Sequence, residues 1–385
     1  MKKIKNIHCF MSPMLNESRV MKETSSLIQL KLIDEVRILG YWLKGLDKEE
    51  KLDNFRTVLR ISTISKKVKI KNTIIRKLLS FISFIELNAK FLIRIIDYKA
   101  DFISCHNLLL LPVCVIGKKI TNAKLVYVPH ELETQKTGLS NLLKQISTYV
   151  ERIFIKDADR IMVVCEPIAK WYRDVYRINN IYVLRNVPFN PFLDKPLVRS
   201  RKLRDEFLIS NDDVIFIYQG VIDKARGCGE LIEVFKKVSS TKHIVMMGYG
   251  DMVDAVKMAA NNYKNIHFKQ AVPVQEIIDY TSSADVGIVY LPFEISLSYK
   301  YSMSNKFFEY LIGGLPIALS SNLEYMCDEI QNHNLGWILD LKQNSLVDFV
   351  NSLNKELIKK ILVKNYADKS GWQLEHNILK TVYHF

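Results

Sequence analysis

Short apolar runs alternate with longer amphipathic stretches along the first half of the chain, a pattern typical of βαβ units and a mainly parallel sheet. The runs predict strands at Ile4–Phe10, Val36–Leu39, Asp101–Cys105, Lys124–Val128, Arg160–Val164 and Ile181–Val183. The stretches between them predict helices at Ser18–Leu30, Ile74–Tyr98, Leu108–Lys119, Leu139–Lys156 and Pro167–Tyr176. We therefore expect a doubly wound α/β domain here.

The alternation stops at residues 186–200 and then begins again. The sequence NVPFNPFLDKPLVRS contains three prolines and has no helical or strand periodicity, which predicts a linker. Later strands are predicted at Val214–Tyr218, His243–Met247, Ile266–Phe268, Val286–Tyr290, Ile317–Ser320 and Trp337–Leu339. Later helices are predicted at Gly229–Val238, Met252–Asn262 and Val274–Ser282, and from Asn305, Glu324 and Leu346. The pattern predicts two facing Rossmann-like domains, residues 1–190 and 191–365, and a last helix within 366–385.

The segment Ser302–Ser320, SMSNKFFEYLIGGLPIALS, carries the most chemistry in the second half. On a helix that begins near Asn305, Lys306 and Glu309 are three residues apart and share a face. A lysine near a helix N-terminus can hold phosphate, because backbone N–H groups and the helix dipole also favour an anion there. A carboxylate one turn later can accept hydrogen bonds from ribose hydroxyls. The pair fits a nucleotide diphosphate, and the alternative is a solvated Lys–Glu pair on a surface helix.

Two loops that follow predicted strands add candidate residues for donor binding. Gly220 lets the backbone approach a ligand, and Arg226 stands at a helix entrance, where it can clamp phosphate. Gly248 and Tyr249 open the next helix, but Val253 stands where a dinucleotide fingerprint has its third glycine. The second loop therefore favours close backbone packing near a ligand over NAD binding. For Arg226 the alternative is an ordinary polar loop.

Polar loops also follow the strands of the first half. His130 and Glu131 come directly after a predicted strand, where His130 can orient or donate to a sugar hydroxyl. The alternative is a structural or solvated loop histidine. Asn16 and Arg19 lie near the end of the first strand in a stretch without glycine, and we expect them on the acceptor side. No aspartate pair brackets a divalent ion at a strand end, so no metal site is predicted.

The formal net charge of +14 calls for an anionic partner. Six basic residues stand directly before or at the start of an apolar helix: Lys66, Lys67, Lys69, Lys71, Arg76 and Lys77. Such a segment can rest on an anionic membrane surface, and the alternative is a core helix preceded by a solvated basic loop. Nucleic acid is not expected, because no nucleic-acid-binding motif accompanies the charge.

The remaining composition describes a globular chain. Apolar residues make up 48% and charged residues 25% of the sequence, as in proteins that bury a sizeable core. Charged residues interrupt the longest apolar segment, Thr73 to Tyr98, so no spanning helix is predicted. Six scattered cysteines form no CxxC pair, which indicates a reducing compartment and no zinc site.

These segments resemble a retaining GT-B glycosyltransferase of the family 4 type found in bacterial polysaccharide assembly. In the first half the resemblance rests on SRVMKETSSL (18–27), CHNLLLLP (105–112), LVYVPHEL (125–132), IMVVCEPIA (161–169) and LRNVP (184–188). In the second half it rests on YQG (218–220) with the arginine and glycine at 226–227, GYG (248–250) and NKFFEYLIGGLP (305–316). The last of these is the most specific.

The resemblance implies roles for four residues. Arg226 and Lys306 would bind the donor diphosphate, Glu309 would bind the ribose, and His130 would lie beside the transferred sugar. The donor would be a nucleotide diphosphate sugar, and no other cofactor and no metal would be required. The last helix would cross back to the first domain, with Trp372 as its anchor.

Two positions depart from the family pattern. Tyr301 stands where the first glutamate of Glu-x7-Glu is expected, and Val221 stands where many relatives have a basic residue. The sugar hydroxyls then have no predicted partner near Tyr301, and the diphosphate clamp depends on Arg226 and Lys306.

The expected activity is sugar transfer from a nucleotide diphosphate sugar to a lipid-linked glycan, by a peripheral enzyme on the cytoplasmic face of a membrane. Two other classes are open at this point. One is a nucleotide-sugar epimerase of the same fold, with Glu131, Glu133 and Glu294 as its acid/base candidates. The other is a basic scaffold without catalytic activity.

Overall fold

The computed structural model describes residues 3–15, 17–64, 73–193 and 195–384. The chain divides into two compact units, Met1–Arg185 with Glu375–Phe385 and Asn186–Leu374. The sequence had placed these boundaries near residues 190 and 365. The difference arises because residues 186–200 and 366–374 pack together: Asn190 donates from its amide to the carbonyl oxygens of Ala367 and Ser370 at 3.0 and 2.8 Å.

The first unit contains an eight-stranded sheet flanked by helices. Its strands are β1 (Lys5–Cys9), β2 (Glu35–Tyr41), β3 (Glu49–Lys51), β4 (Arg56–Ile61), β5 (Phe102–Cys105), β6 (Lys124–Tyr127), β7 (Arg160–Val163) and β8 (Ile181–Val183). Its first helices are α1 (Ser18–Gln29), α2 (Thr73–Tyr98), α3 (Leu111–Thr121), α4 (Asn141–Phe154) and α5 (Glu166–Tyr176). The strand order is β3-β4-β2-β1-β5-β6-β7-β8, and every pair except β3–β4 is parallel.

The β3–β4 edge was not predicted from the sequence. All three residues of β3 are exposed and charged, and β4 carries arginines at both Arg56 and Arg60, so neither strand has an apolar run. Arg60 is nevertheless buried, because its guanidinium donates to the Pro13 carbonyl at 2.8 Å and to the Glu50 carboxylate at 2.6 Å. Tertiary hydrogen bonds therefore allow a charged residue at an inward position.

The second unit contains a six-stranded, fully parallel sheet with the order β11-β10-β9-β12-β13-β14. Its strands are β9 (Val214–Val221), β10 (Lys242–Tyr249), β11 (Ile266–Gln270), β12 (Val286–Val289), β13 (Ile317–Ser320) and β14 (Gly336–Leu339). Its helices are α6 (Lys202–Phe207), α7 (Cys228–Phe235), α8 (Val253–Asn262), α9 (Ile277–Ser282), α10 (Leu297–Tyr301), α11 (Asn305–Ile312), α12 (Glu324–His333), α13 (Gln343–Ser352), α14 (Lys355–Lys359) and α15 (Lys364–Ala367).

The last helix, α16 (His376–Tyr383), belongs to the first unit, as the resemblance implied. Its Tyr383 hydroxyl lies 2.8 Å from Ser104 Oγ and donates to Glu23 at 2.9 Å. Glu375, just before the helix, pairs with Arg185 at 2.7 Å. Trp372, which the sequence suggested as the anchor, lies in the second unit and donates from its backbone N–H to Pro188.

α2 is the longest helix described, with 26 residues. None of the helices among the described residues is both long enough and apolar enough to span a membrane. The predicted basic run is only partly visible: Lys66, Lys67, Lys69 and Lys71 lie outside the described residues, and Arg76 and Lys77 are exposed on the first turns of α2.

A buried carboxylate fixes α4 against the sheet of the first unit. Glu151 on α4 accepts hydrogen bonds from the hydroxyls of Tyr127 at 2.7 Å, Tyr172 at 2.8 Å and Tyr176 at 2.7 Å. Burial raises the pKa of Glu151, and the three hydroxyl donors oppose that shift. Tyr127 ends β6, so this cluster also fixes the loop that carries His130.

We expect Glu151→Ala to destabilise the first unit by about 3 kcal/mol or more, because three buried hydroxyls would lose their acceptor. Urea denaturation followed by near-ultraviolet circular dichroism would measure this. The exposed Glu166, which pairs with Arg173 on the surface of α5, provides the matched control, and Glu166→Ala should change stability by no more than about 0.5 kcal/mol. Equal effects of the two substitutions would contradict a structural role for the tyrosine cluster.

Candidate active site

Both sheets reverse their strand order next to a central strand, and ligands in open α/β sheets bind beyond the carboxyl ends of strands at such points. In the first unit the reversal lies between β1 and β5, which continue into Phe10 and His106. In the second unit it lies between β9 and β12, which continue into Ile222 and Tyr290. Most of the predicted site residues lie at these two edges.

Lys306 and Arg226 line one small cavity of the second unit. Its volume is about 40 Å³, room for a few water molecules, and its lining includes Tyr218, Tyr299 and Ser304. Lys306 comes from the first turn of α11, and Arg226 ends the short 3-10 helix Lys224–Arg226 after β9. The structure therefore brings together two cations from separate loops of one sheet edge.

Two glycines permit this approach. Gly220, with φ of +122°, lies where an added Cβ would be 3.9 Å from Lys306 Nζ. Gly227, with φ of +72°, follows Arg226 and packs so closely on β12 that an added Cβ would lie 2.0 Å from the Tyr290 carbonyl oxygen. A larger residue at Gly227 would push the Arg226 loop away from the sheet.

The ammonium of Lys306 is held without a carboxylate ion pair among the described residues. Its Nζ lies 4.4 Å from the centre of the Tyr218 ring, which is a cation–π contact. Burial first, and the charge of Arg226 second, lower the pKa of Lys306 to about 8. The ion pair between Arg226 and Asp223 is long, at 3.5 Å. An anion placed between the two cations would relieve this repulsion.

The start of α11 adds polar groups next to Lys306, and one of them, Ser304, also lines the cavity. Ser304 is the N-cap residue of α11, yet its buried Oγ has no hydrogen-bond partner among the described residues. Asn305 is the first residue of the helix, whose first backbone N–H groups have no intrahelical acceptor. Together with Lys306 these groups form a set of donors without acceptors, as an anion site requires.

Glu309 is positioned by a residue that the sequence did not single out. Its Oε2 accepts a hydrogen bond from Gln219 Nε2 at 2.5 Å, and Gln219 Oε1 accepts one from Thr281 at 2.8 Å. The backbone N–H of Gln219 donates to Tyr310 at 3.2 Å. Gln219 was visible only as the middle residue of the YQG motif. Its side-chain direction depends on α9 and α11, which the local sequence does not specify.

Gly248 and Tyr249 end β10 next to β9, where an added Cβ at Gly248 would lie 1.7 Å from the Gly220 carbonyl oxygen. The glycine is therefore needed for close strand packing. Tyr249 is 59% exposed, and neither residue lines the cavity that contains Lys306. The structure places them beside the Gly220 loop and does not bring them to the two cations.

In the first unit, three histidines form a chain of hydrogen bonds at the β1–β5 edge. His130 Nε2 lies 3.0 Å from His106 Nδ1, and His106 Nε2 lies 2.9 Å from His8 Nδ1. His8 Nε2 lies 3.0 Å from Asn6 Nδ2. Burial lowers the pKa of His8 to about 3, and burial with neighbouring positive charge keeps the pKa of His106 and His130 well below the usual value.

The amide of Asn6 sets the direction of this chain. An amide nitrogen can only donate, so His8 Nε2 accepts and His8 Nδ1 carries the proton that is donated to His106. His106 then donates from Nδ1 to His130 Nε2, and His130 carries its proton on Nδ1. A neutral His130 with one fixed tautomer can donate a hydrogen bond but is not an acid at neutral pH.

Glu23 lies near this chain. Ligand atoms of His8, Glu23 and His106 lie within 4.8 Å of one another, which is the spacing of a metal site. Both ring nitrogens of His8 and of His106 already take part in the hydrogen bonds described above, so a bound metal ion would have to replace some of these hydrogen bonds. Metal independence stays a prediction.

The other acceptor-side residues are placed as follows. Glu131 follows His130 and pairs with Lys136 at 3.2 Å, and Lys136 also pairs with Glu133 at 3.1 Å. Arg19 is buried on the first turn of α1, and its charge contributes to the low pKa of His106 and His130. Asn16 lies outside the described residues.

Part of the chain matches a family model, and the whole chain resembles several solved structures. Residues 35–187 match the family model described as Glycosyltransferase Family 4. Anabaena HepE, solved in complex with UDP-glucose, is 12% identical with a TM-score of 0.69 over 98% of this chain and 99% of its own. Sucrose-phosphate synthase of Thermosynechococcus elongatus is 13% identical with a TM-score of 0.65 over 99% of this chain and 95% of its own. No curated protein sequence matches the chain.

WaaG, a glycosyltransferase of lipopolysaccharide biosynthesis, is 13% identical with a TM-score of 0.64 over 99% of this chain and 100% of its own. These structures share the GT-B fold, which is therefore the fold of the present chain. The resemblance to the family 4 type of GT-B glycosyltransferases is confirmed, since residues 35–187 match that family and the two parallel-sheet units have that fold.

The direction of the histidine hydrogen bonds can be tested without an activity assay. In ¹⁵N-histidine spectra at neutral pH, His130 should be the neutral tautomer with its proton on Nδ1. Asn6→Asp should reverse the chain, because a carboxylate beside His8 Nε2 accepts a hydrogen bond and each proton then moves to the other nitrogen. Asn6→Ser, which can donate or accept, serves as the control. An unchanged His130 tautomer in Asn6→Asp would contradict the assigned direction.

Proposed function

We propose that this protein is a retaining glycosyltransferase that moves a sugar from a nucleotide diphosphate sugar to a lipid-linked glycan acceptor, as in cell-surface polysaccharide synthesis. The observation that carries the proposal is the pair Lys306 and Arg226 at one cavity, next to the N-terminus of α11. Two cations and a set of unpaired donors suit the diphosphate of such a donor.

The proposed chemistry is electrostatic. As the bond between the sugar and the diphosphate breaks, negative charge grows on the leaving phosphate, and Lys306 and Arg226 stabilise it in a site from which most water is excluded. Glu309, held by Gln219, accepts hydrogen bonds from the ribose hydroxyls. His130 donates from Nδ1 to a hydroxyl of the transferred sugar. These steps require neither a metal nor a protonated histidine.

The comparisons support a nucleotide sugar donor, since HepE was solved with UDP-glucose and with UDP. They do not favour the epimerase alternative. Its candidate carboxylates are poorly suited to acid/base work, because Glu131 and Glu133 share Lys136 and Glu294 is exposed. A binding screen against nucleotide diphosphates and their sugars would identify the base and the sugar of the donor.

The first unit presents an apolar surface suited to a membrane. We define the apolar surface as the exposed apolar side chains of the first half of α2 and of α3 and α4: Ile75, Leu78, Phe81, Ile82, Ile85, Ile116, Ile120, Leu142, Leu143, Ile146, Tyr149 and Ile153. α3 contacts both α2 and α4, so the three helices are neighbours. Exposed patches of this kind mark interaction sites, and on an amphipathic helix they suit the membrane interface.

Positive charge accompanies the apolar surface. Arg76, Lys77 and Arg152 are exposed on the same helices. A cavity of about 810 Å³ beside α2 is lined by five basic residues that are wholly or partly exposed, Arg37, Lys48, Lys51, Lys90 and Arg94, and by two acidic ones, Glu35 and Glu49. This excess of positive charge fits anionic lipid headgroups, so the proposed location is the cytoplasmic leaflet of a membrane.

Lys306→Met should weaken UDP binding at least about 10-fold, because one charge-assisted contact to the diphosphate is lost. Glu309→Ala should weaken the binding of UDP and leave the binding of inorganic diphosphate unaffected. Isothermal titration with a panel of nucleotide diphosphates and their sugars would measure both. The exposed Lys237 of the same unit provides the control, Lys237→Met. Unchanged UDP affinity in both Lys306→Met and Glu309→Ala would refute the donor site.

The pH dependence of UDP binding follows from Lys306. Its pKa in the free protein is about 8, and a bound diphosphate raises it, so the charged form predominates below that pH and is lost above it. UDP affinity should therefore fall as the pH rises through about 8. Titrations between pH 7 and 10 should show this fall in the wild type and a flatter profile in Lys306→Met.

The double variant Phe81→Asp/Ile85→Asp should reduce binding to anionic phospholipid vesicles about 10-fold or more, because two apolar anchors become charged. Vesicle co-sedimentation would measure this, with neutral phosphatidylcholine vesicles binding more weakly than anionic ones. Met258→Asp/Val274→Asp is the matched control, since these side chains of the second unit are 68% and 70% exposed. Equal loss in both double variants would contradict docking through the apolar surface.

A further inference from the structure

Arg19 is a buried cation without a hydrogen-bond partner. The residue is 4% exposed, and none of its three guanidinium nitrogens has a hydrogen-bond partner among the described residues. Burying a guanidinium without compensation costs several kcal/mol, and native proteins rarely leave such a group unpaired. The main opposing charge is that of Glu23 on the same helix, which makes no hydrogen bond to Arg19, so the guanidinium can bind a further acceptor.

Other buried arginines of this chain show what a structural role requires. Arg60 donates to the carbonyls of Pro13 and Asp47 and to the Glu50 carboxylate. Arg204 donates to the carbonyls of Ser210 and Asp213 and pairs with Asp285 at 2.6 Å. Both bind backbone oxygens and a carboxylate, and Arg19 binds neither.

The surroundings of Arg19 are polar and adjoin the candidate catalytic histidine. Its charge acts on the pKa of His106 and His130, and on Cys165 at the end of β7. Among the nearby acids, Glu23 Oε1 accepts a hydrogen bond from Tyr383, and Glu375 pairs with Arg185. Glu23 Oε2 is unpaired as well, and burial raises the pKa of Glu23 to about 7. A protonated Glu23 can donate to an anion, so its presence does not exclude one.

We propose that Arg19 binds an oxyanion of the acceptor, a carboxylate or a phosphoryl group, and thereby selects acid-bearing acceptors. The assignment of this oxyanion to an acceptor rests on the proposed function, whereas the anion site itself does not depend on it. A planar guanidinium matches either oxyanion with two parallel hydrogen bonds. Its place near His130 would put the charged group of the acceptor beside the histidine proposed to orient the sugar.

The test uses the full chain carrying Lys306→Met, which weakens anion binding at the donor cavity. Thermal unfolding is followed with inorganic phosphate, with glucuronate, and with glucose as the neutral control, all at equal ionic strength. We expect phosphate or glucuronate to raise Tm by about 2 °C or more and glucose to have no effect. Phosphate alone would indicate a phosphoryl acceptor, and glucuronate alone would indicate a sugar acid.

The matched variants separate binding from structure. Arg19→Met in the same background should abolish the anion-dependent shift and should itself raise Tm in the absence of anions, because an unpaired buried charge is removed. Arg60→Met, which removes a satisfied buried arginine of the same unit, should lower Tm and keep the anion-dependent shift. The proposal is overturned if neither anion raises Tm, if the shift survives in Arg19→Met, or if Arg19→Met lowers Tm as Arg60→Met does.

The two proposals fail independently. The donor-site proposal fails if UDP binding does not depend on Lys306. The anion-site proposal fails if the Tm shift caused by phosphate or glucuronate does not depend on Arg19. If UDP binding depends on Lys306 and no anion effect depends on Arg19, the glycosyltransferase proposal stands and the acceptor is not selected by charge at this position.

Discussion

The constraint on which both candidate sites depend is the reversal of strand order in a parallel sheet. At the reversal, the loops after two neighbouring strands run to opposite faces of the sheet and leave their carboxyl ends accessible. In the first unit this places the chain of His8, His106 and His130 at the β1–β5 edge. In the second unit it places the Gly220 loop and Arg226 beside the end of β12.

Hydrogen-bond satisfaction separates structural from candidate functional groups. Glu151 is buried and fully engaged by three tyrosine hydroxyls, so it serves the fold. Ser304 Oγ and the guanidinium nitrogens of Arg19 are also withdrawn from water but have no hydrogen-bond partner among the described residues. Lys306 is half-buried, and burial lowers its pKa. Withdrawal from water makes any ligand that pairs with these groups bind more strongly, since the competing solvent is absent. The same withdrawal keeps the three histidines neutral, which favours orientation of a hydroxyl over acid catalysis.

Exposure of apolar side chains differs between the two halves of α2. The periodicity of α2 left core packing and membrane docking equally open, because apolar residues occur on more than one face of the helix. The structure buries Leu87, Phe91 and Ile95 in its second half and leaves Phe81 and Ile85 exposed in its first half. α4 adds a second exposed apolar face, which the sequence had assigned only as a helix. Local periodicity cannot distinguish these outcomes, because exposure depends on which neighbours cover the helix.

The sequence by itself determined the βα alternation, most element positions and the helix that begins at Asn305 with Lys306 and Glu309 one turn apart, because periodicity and helix-start signals are local. Only the tertiary structure revealed β3 and β4, since their charged residues are supported by partners distant in sequence, as Arg60 is by Pro13. It also decided the role of Gln219, the order of the histidine chain and the missing partners of Arg19. These features depend on side-chain directions and on contacts between strands far apart in the chain. A one-dimensional pattern identifies the residue types there but not the atoms that meet.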